Sequence, residues 1–341
     1  MVLGGDFRQV LPVVEGGSRT EIVNASLISS FLWKGVTIFQ LKENMRLSNP
    51  MLSPIQKVEL IVFAQWILDI GNGVVPMVAR EGECSPSWLT LPPDIAMSPS
   101  CDYIDTLIDT VYDSFAEKFS DPLYLAERAI VCPTNKVAES VSDTVFSKIP
   151  GDATIFHSSD SICKTMDHMA DAELLYPPEF LHEVEPPNFP KHKLMLKVGV
   201  PVMLLRNINQ SIGLCNGTRL LVTRLGEWVL EAKIMTGSNI GDCVCIPRIV
   251  LHAATKWPFT LQRRQYPIRV CYAMTINKSQ GQTLNKVGVY LPKPVFTHGQ
   301  FYVAVSRVTS KKGLKNLALD DDGYPTNQTR NIVYQQVLTK L

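Results

Sequence analysis

Residues 268–283 read IRVCYAMTINKSQGQT and change abruptly from apolar to polar character. The apolar run over 268–275, rich in β-branched and aromatic side chains, predicts a buried strand. It breaks into a loop that holds two amides, an ammonium group, a hydroxyl and a glycine over 277–281. A tight turn needs only a pair such as Asn and Gly. The surplus of hydrogen-bond donors therefore predicts that this loop binds a ligand.

Strand and helix patterns on both sides of this stretch predict an α/β fold. Residues 129–132 (AIVC) form a compact apolar run, and the helix predicted after it has one apolar face. That face consists of Val137, Ala138, Val141, Val145 and Ile149. Strands are also predicted at 287–291 and 314–319, with a helix between them that opens on a capping box, Thr297 with Gln300. A strand, a tight turn and a helix are the opening unit of an α/β domain.

A different pattern interrupts the α/β region. Short strands separated by turn signals are predicted at 198–205, 218–224, 228–234 and 243–250. This spacing favours a small antiparallel β-barrel inserted into the α/β domain, which resumes at Ile268.

The first half of the chain has weaker patterns. Helices are predicted at 21–32, 55–70 and 103–115, a strand at 36–41, a linker at 71–100 and a second break at 176–190. The apolar face of the second helix is predicted at positions 58, 61, 62, 66 and 67. The chain opens on a three-residue apolar run, which is short for a strand, so we expect it to begin within a fold.

Composition excludes few classes of function. A chain of 341 residues is expected to form two or three domains, and a net charge of +1 leaves a polyanionic partner open. The eight cysteines show no C-x-x-C pair and the six histidines no H-x-x-x-H pair, so no metal cage is predicted. No apolar run reaches the roughly 20 residues of a membrane span. The sequence therefore predicts a soluble, intracellular protein without a membrane partner.

Four polar clusters lie at the ends of predicted strands, where open α/β sheets bind their ligands. They are GDFRQ at 5–9, LKENMR at 41–46, TINKSQG at 275–281 and YVAVSR at 302–307. In this order they resemble the third to sixth helicase motifs of the petite-integration-frequency (PIF-one type) DNA helicases of superfamily one B. Residues 196–205 and 216–218 are similar to the stretch of the family that leads through its inserted barrel. Four motifs in order are far more specific than one glycine-rich loop.

The resemblance implies a RecA-like P-loop NTPase helicase fold, in which ATP lies between two RecA-like domains. Hydrolysis would drive movement along single-stranded DNA from 5′ to 3′. Gln9 would sense the γ-phosphate and place the attacking water, a task that suits an amide because it both donates and accepts. Arg46 and Arg307 would stabilise charge on the transferring phosphoryl group. Arg46 alternatively pairs with Glu43, and helical spacing alone predicts Arg307 away from the buried face.

The resemblance also gives the loop two ligands. Four residues would donate to DNA phosphates: Thr275, Asn277, Lys278 and Ser279. Gln280 and Gly281 would lie toward the nucleotide, where a glycine permits close approach of the backbone. One loop would thereby couple the state of ATP to the grip on DNA. Asn277 stands where many relatives have His, which puts any role specific to an imidazole in doubt.

Basic and aromatic residues interleave over 256–269 and predict a second DNA surface. Trp257 would stack on an unpaired base, while Arg263 and Arg264 would follow the phosphate backbone. The alternative is that Trp257 and Phe259 close the core of the barrel.

No G-x-x-x-x-G-K-[ST] loop and no Asp-Glu dipeptide occur in the 341 residues. The family holds the ATP phosphates and Mg²⁺ with these two features, upstream of its GDFRQ segment. We therefore expect a C-terminal portion of a helicase that neither hydrolyses ATP nor unwinds DNA in isolation. Its expected parts are a remnant of the first RecA-like domain with a linker (1–127), the second RecA-like domain (128–193 and 266–341) and the inserted barrel (194–265).

Two other classes of function stay open from the sequence. The chain is alternatively a non-catalytic remnant that binds single-stranded nucleic acid, or a metabolic α/β enzyme, against which stands the absence of a dinucleotide fingerprint. The resemblance implies work on single-stranded DNA and DNA junctions in repair, recombination and telomere maintenance, in the nucleus or the mitochondrion. The helicase part of a Helitron-type transposon has the same motifs.

Overall fold

The computed structural model describes residues 2–339, apart from 42, 49, 51, 84, 98–101, 164–175 and 255–258. The chain divides into two compact units. Unit 1 comprises Met1–Asp113, Glu127–Ala138 and Ala273–Leu341, and unit 2 comprises Ser114–Ala126 and Glu139–Tyr272.

The secondary structure is mixed. The described α-helices are α1 (Arg19–Asn24), α2 (Pro54–Asn72), α3 (Tyr103–Val111), α4 (Phe115–Lys118), α5 (Pro122–Ala126), α6 (Asn135–Ser147), α7 (Pro178–Glu183), α8 (Gln300–Ser306) and α9 (Gln335–Leu338). Short 3₁₀ turns cover Leu27–Ser29, Phe31–Gly35, Met45–Ser48, Gln210–Ile212, Ile276–Ser279 and Lys311–Gly313. The first eight strands are β1 (Trp88–Thr90), β2 (Arg128–Cys132), β3 (Thr154–His157), β4 (Ser159–Ile162), β5 (Lys193–Leu196), β6 (Pro201–Leu204), β7 (Arg219–Arg224) and β8 (Val229–Ile234). The others are β9 (Cys243–Pro247), β10 (Ile249–Ala254), β11 (Thr260–Gln265), β12 (Ile268–Val270), β13 (Ala273–Thr275), β14 (Lys286–Leu291), β15 (Leu314–Leu319), β16 (Pro325–Thr326) and β17 (Gln328–Arg330).

Unit 1 is built on a five-stranded sheet in the order β13-β2-β14-β15-β16. The first four strands are parallel, and β16 pairs antiparallel with β15. The strands β2 and β14 are almost wholly buried, as expected where both faces of a parallel sheet are covered. On one face α3 packs closely, because a Cβ on Gly288 would lie 2.8 Å from Val111 and 2.9 Å from Leu107. The predicted strands at 129–132, 287–291 and 314–319 are confirmed within a residue.

The N-terminal part of unit 1 has a small core of its own. It consists of Leu11, Val23, Ile28, Tyr334 and Val337. The helix α1 begins at a capping box between Ser18 and Glu21, so its first amide groups have acceptors. The helix predicted at 21–32 ends at Asn24, and the chain continues after it only as short 3₁₀ turns.

Two predictions for this region are wrong. Residues 36–41 form no strand, because they have no strand partner in the part of the chain that the structure describes. The helix α2 does form, but Val58, Ile61 and Val62 are exposed. Its buried stripe is Phe63, Ile67 and Ile70, on the side of Gly71, where a Cβ would lie 2.7 Å from the ring of Tyr302.

The predicted linker at 71–100 is partly ordered as core. The strand β1 pairs antiparallel with β17, and Leu89, Leu91 and Ile95 are buried. Glycine, proline and serine are frequent in this segment and indicate turns. The three-residue strand between the turns was not predicted, because its partner lies about 240 residues later. Likewise, the proline-rich break at 176–190 contains α7.

Unit 2 is mostly antiparallel. Its largest sheet has the order β12-β6-β7-β8-β9, beside a three-stranded sheet β10-β11-β4 and a pair β3-β5. A single residue, Arg248, separates β9 from β10. The described pairings leave β9 and β12 at the edges of the five-stranded sheet, so closure into a barrel stays a prediction. Among the described residues, no helix combines the length and the apolar character that crossing a membrane requires.

Candidate functional site

The segment 5–9 lies against the start of α8 in unit 1. Gly299 precedes this helix with a φ of 73°, in the left-handed region that suits glycine. A Cβ at Gly299 would lie 2.7 Å from the carbonyl carbon of Gln9 and would clash with the carbonyl oxygen of Arg8. Only a residue without a side chain therefore lets the two backbones come this close. The helix lacks the predicted capping box: the Gln300 side chain accepts from the backbone N–H groups of Phe296 and Thr297, and Thr297 does not cap it.

Polar bonds fix the same segment from several sides. The Tyr302 hydroxyl on α8 donates to Oδ2 of Asp6 at 2.8 Å, and Oδ1 of Asp6 accepts from the backbone N–H of Arg8 at 3.0 Å. The Arg8 Nε donates to Oδ1 of Asn72, at the end of α2, at 2.7 Å. Segment 5–9, α2 and α8 thus share one hydrogen-bonded network.

Electrostatics place a further arginine near this network. Burial is the main cause that raises the pKa of Tyr302, and the charge of Asp6 adds to it. The positive charges of Arg8 and Arg307 act in the opposite direction. Arg307 therefore lies close enough for its charge to affect the hydroxyl that holds Asp6.

His298 connects segment 5–9 to the C-terminal part of unit 1 as a neutral imidazole. Its Nε2 donates to the carbonyl oxygen of Phe7 at 2.8 Å, and its Nδ1 accepts from the backbone N–H of Tyr334 at 2.8 Å. One donor and one acceptor define the neutral Nε2–H tautomer. Burial, the largest cause, lowers the pKa of His298 and keeps the ring in this form.

The loop at 275–283 presents its backbone more than its hydroxyl groups. Ser279 is fully buried, and its Oγ donates to the carbonyl oxygen of Ile276 at 2.7 Å. Thr275 is buried, whereas Asn277, Lys278 and Gln280 are half-buried. Gly281 is exposed at a φ of 77°, and nothing lies within 4 Å of the position that a Cβ would occupy. A ligand can therefore approach the backbone at Gly281.

Arg307 is 8% exposed, which corrects the expectation from helical spacing that it lies away from the buried face. The guanidinium folds back on its own helix: Nε donates to the carbonyl oxygen of Val303 at 3.0 Å and Nη2 to Oγ of Ser306 at 2.8 Å. Nη1 donates to the carbonyl oxygen of Gln282 at 3.3 Å. Gln282, which accepts this bond, directly follows Gly281, so the structure brings Arg307 close to Gly281.

The remaining predicted site residues of the motifs and of the basic stretch are Gln9, Arg46 and Trp257. Gln9 is half-buried, and its backbone N–H donates to the carbonyl oxygen of Asp6 at 3.1 Å. Arg46 lies in the turn Met45–Ser48, but its side chain is outside the described residues. Trp257 is also outside them.

The two predicted DNA-binding arginines of unit 2 differ. Arg264 is exposed on β11. Arg263 is fully buried: it donates to both carboxylate oxygens of Asp160, at 2.9 and 2.7 Å, and to the carbonyl oxygens of Pro190 and Leu181. Its assignment to DNA is therefore corrected to a structural ion pair. Successive residues of a strand face opposite sides, and the sequence did not show which of the two faces inward.

Sequence reasoning did not select four residues that build the site: Asp6, His298, Gly299 and Tyr302. Asp6 and Tyr302 lay inside the quoted motifs, so the motif signal was present. The contacts of His298 and Gly299 depend on residues about 290 positions away and had no local signal.

Two family models match this chain. One, described as PIF1-like helicase, matches residues 1–81. The other, described as the 2B domain of the DNA helicase Pif1, matches residues 179–225.

The curated relatives include proteins named ATP-dependent DNA helicase PIF1. The ATP-dependent DNA helicase PIF1 of Homo sapiens is 37% identical over 130 residues, which are 37% of this chain and 20% of the human protein. The protein of that name from Danio rerio is 26% identical over 219 residues, which are 61% of this chain and 30% of the relative. The chain thus spans 20% to 30% of the length of these relatives.

Solved structures share the fold. Pif1 helicase from Candida albicans aligns with a TM-score of 0.56 at 21% identity, covering 98% of this chain and 66% of that one. Pif1 helicase from Bacteroides, in complex with ADP-AlF3 and ssDNA, aligns with a TM-score of 0.55 at 17% identity, covering 96% and 68%. The fold is therefore the RecA-like helicase fold. The motifs, the two family models and the curated relatives support the PIF1-like helicase family over the segments that they match.

Proposed function

We propose that this chain is part of an ATP-dependent DNA helicase that moves along single-stranded DNA from 5′ to 3′ and unwinds duplexes. One observation carries the proposal: α8 joins three of the four motif segments. It contains Tyr302, which bonds Asp6 of segment 5–9, and it is followed directly by Arg307, which bonds the loop at Gln282. The residues that would meet a nucleotide are thereby linked within unit 1.

The roles follow from the chemistry of each side chain. The amide of Gln9 would orient the attacking water and report the γ-phosphate to Asp6, with which its backbone is bonded. Arg307 would stabilise the developing phosphoryl charge, and Arg46 would do so from the turn at 45–48. Gly281 would let a phosphate oxygen approach a backbone N–H group.

In this proposal, a bound nucleotide displaces Arg307 from the hydrogen bonds that it makes in the structure. Its guanidinium donates to neutral oxygens of Val303, Ser306 and Gln282. Bonds from a guanidinium to a phosphate are charge-assisted and roughly twice as strong as neutral ones, so a nucleotide competes for it. Releasing the carbonyl of Gln282 would free the loop that is proposed to contact DNA.

Single-stranded DNA would be bound on each unit by different residues. In unit 1 the half-buried Asn277 remains the candidate. The Nζ atom of Lys278 is buried, and the inward-facing hydroxyl of Ser279 supports a structural role. In unit 2 Arg264 is the exposed cation on β11 that would follow the phosphates. Nuclear or mitochondrial DNA, including junctions, is the proposed substrate.

The cofactors are ATP and Mg²⁺. The sequence of 341 residues contains neither the phosphate loop nor an Asp-Glu pair. We therefore propose that the chain by itself does not turn over ATP, and that its residues act together with a phosphate-binding loop.

The test is DNA-stimulated ATP hydrolysis by the whole gene product, with Arg307→Ala and Arg307→Lys. Loss of the arginine is expected to lower kcat by about 10³-fold or more, with lysine restoring only part of it, because a point charge lacks the bidentate fork. Unwinding is measured on 5′-tailed and 3′-tailed duplexes, and only the 5′-tailed substrate is expected to open.

Binding to a fluorescent oligodeoxynucleotide separates the outcomes. Arg264→Ala is expected to weaken binding. Binding without any hydrolysis in the whole gene product would instead support the non-catalytic class of function.

A further inference from the structure

Two histidines of unit 2 meet across a pair of strands. His157 ends β3 and lies opposite Lys193 in β5, and His192 immediately precedes β5. The backbone N–H of Ser158 donates to the carbonyl oxygen of His192 at 2.9 Å, which continues the pairing beyond the strands. The two rings are therefore held by a hydrogen-bonded backbone rather than by a loop.

Hydrogen bonds fix which nitrogen of His192 is free of hydrogen. The Ser158 hydroxyl donates to Oδ1 of Asp160 at 2.6 Å, so its oxygen accepts from Nδ1–H of His192 at 2.8 Å. Asp160 is itself fixed by the bidentate bond from Arg263. The lone pair of the neutral ring is then on Nε2, since Nδ1 carries the hydrogen.

The position of this lone pair has the geometry of a metal ligand. His192 Nε2 lies 3.4 Å from Nδ1 of His157, and the ring centroids are 5.2 Å apart. Without an ion, Nδ1–H of His157 would donate a long hydrogen bond to Nε2 of His192 across this distance. Two imidazole nitrogens at about 2.0–2.1 Å from one tetrahedral ion are about 3.3–3.4 Å apart. The observed distance is the one expected for two ligands of a single ion.

We propose that Nδ1 of His157 and Nε2 of His192 bind a divalent first-row transition-metal ion, with Zn²⁺ as the representative. Imidazole suits Zn²⁺, Cu²⁺ and Ni²⁺, whereas Mg²⁺ prefers oxygen ligands. His157 is exposed, so an ion has a path to the site and solvent can complete its coordination. The bound ion would link the end of β3, at His157, to the residue before β5, His192.

The neighbouring groups act as supports rather than as ligands. Asp160, His182 and His192 have ligand atoms within 4.8 Å of one another, but Asp160 is committed to Arg263. His182 stacks on His192 at a centroid distance of 3.7 Å and an angle of 15°. Two nearly parallel rings cannot both hold one ion in their planes, so His182 orients the ring of His192.

The sequence did not predict this site. His157 and His192 are 35 residues apart, and the spacing rules for metal sites detect only close pairs. The antiparallel pairing of β3 and β5 alone brings them together.

Isothermal titration of the metal-free chain with Zn²⁺ tests the proposal. One site per chain is expected, and His157→Gln is expected to weaken it by about tenfold or more. His252→Gln is the matched control, because His252 is exposed on β10 of the same unit. His157 is exposed as well, so the variant is expected to fold, which circular dichroism checks. Equal Zn²⁺ affinity in wild type and His157→Gln, or no binding at millimolar Zn²⁺, would overturn the proposal.

A second measurement separates imidazole from thiolate ligands. Cys243 and Cys245 are exposed in unit 2 and free, and thiolates also bind Zn²⁺. A Cys243→Ser/Cys245→Ser variant is expected to keep the site. With Co²⁺ as the probe, the wild type is expected to show no thiolate charge-transfer band. Loss of the site in the serine variant, with retention in His157→Gln, would assign the ion to the cysteines and end the proposal.

Discussion

Residues 36–41 (VTIFQL) and the strand β14 (KVGVYL) have similar sequences and different fates. β14 is hydrogen-bonded to β2 on one side and to β15 on the other, and all but its first residue are buried. Residues 36–41 form no strand, and Phe39 and Leu41 are 87% and 101% exposed. A β-type sequence therefore indicates suitability for a pleated, covered surface, and the partner strands decide whether the strand forms.

The segment 5–9 stands between these two extremes. Like residues 36–41 it has no strand partner among the described residues, yet it is fixed by α8. Tyr302 bonds Asp6, His298 bonds the carbonyl of Phe7, and Gly299 admits the backbone of Gln9. Contacts with a helix here replace the contacts that a sheet provides for β14.

The largest expected effect comes from removing the same side chain in both regions. Leu291→Ala in β14 is expected to lower the free energy of unfolding by about 2–5 kcal/mol, because it leaves a cavity at a buried site. Leu41→Ala is expected to change it by less than about 0.5 kcal/mol. Urea unfolding followed by circular dichroism measures both. Equal losses would show that residues 36–41 are packed, and the contrast would fail.

A smaller effect is expected at the contact between α8 and segment 5–9. Gly299→Ala is expected to cost about 1–3 kcal/mol, since its Cβ would meet the backbone of Arg8 and Gln9. Gly323→Ala is the control: it has a similar positive φ of 84° and nothing within 4 Å of a Cβ. The difference between the two variants isolates the contact. Hydrogen exchange at the amides of 5–9 should rise only in Gly299→Ala, and an equal rise in both variants would refute the contact.

The smallest effect is a pH dependence at His298. Its pKa is lower in the folded chain than in the unfolded one, so the unfolded chain binds the proton more readily. The stabilisation is fully present above the unfolded pKa of about 6.5 and is lost as pH falls through that value toward the folded pKa.

His298→Gln keeps a donor and an acceptor without a titrating group, and it tests this assignment. Its free energy of unfolding is expected to vary less between pH 7.5 and pH 5.5 than that of the wild type. Taking the difference between the two proteins cancels His192, whose pKa is also lowered. Identical pH profiles would mean that His298 is not the titrating group.

The sequence motifs predicted residues of the candidate site, but they did not predict the hydrogen bonds that connect those residues. The motifs identified Gln9, Gly281 and Arg307, and the structure brings Gly281 and Arg307 together through Gln282. Burial of Arg307 was missed because helical spacing gives the direction of a Cβ and not the path of a long side chain. Arg263 was assigned to DNA because strand alternation has two possible phases, and the buried partner Asp160 lies 103 residues away.

By itself, the sequence determined the local elements with strong periodicity: the strands β2, β14 and β15, the helix α6 and the order of the four motifs. It could do so because side-chain periodicity and turn chemistry act over a few residues. Only the tertiary structure decided that residues 36–41 stay without a strand partner, that α8 holds segment 5–9, and that His157 faces His192. These outcomes depend on partners that lie tens to hundreds of residues away in the sequence. A local pattern does not specify which distant backbone or side chain will complete a hydrogen bond.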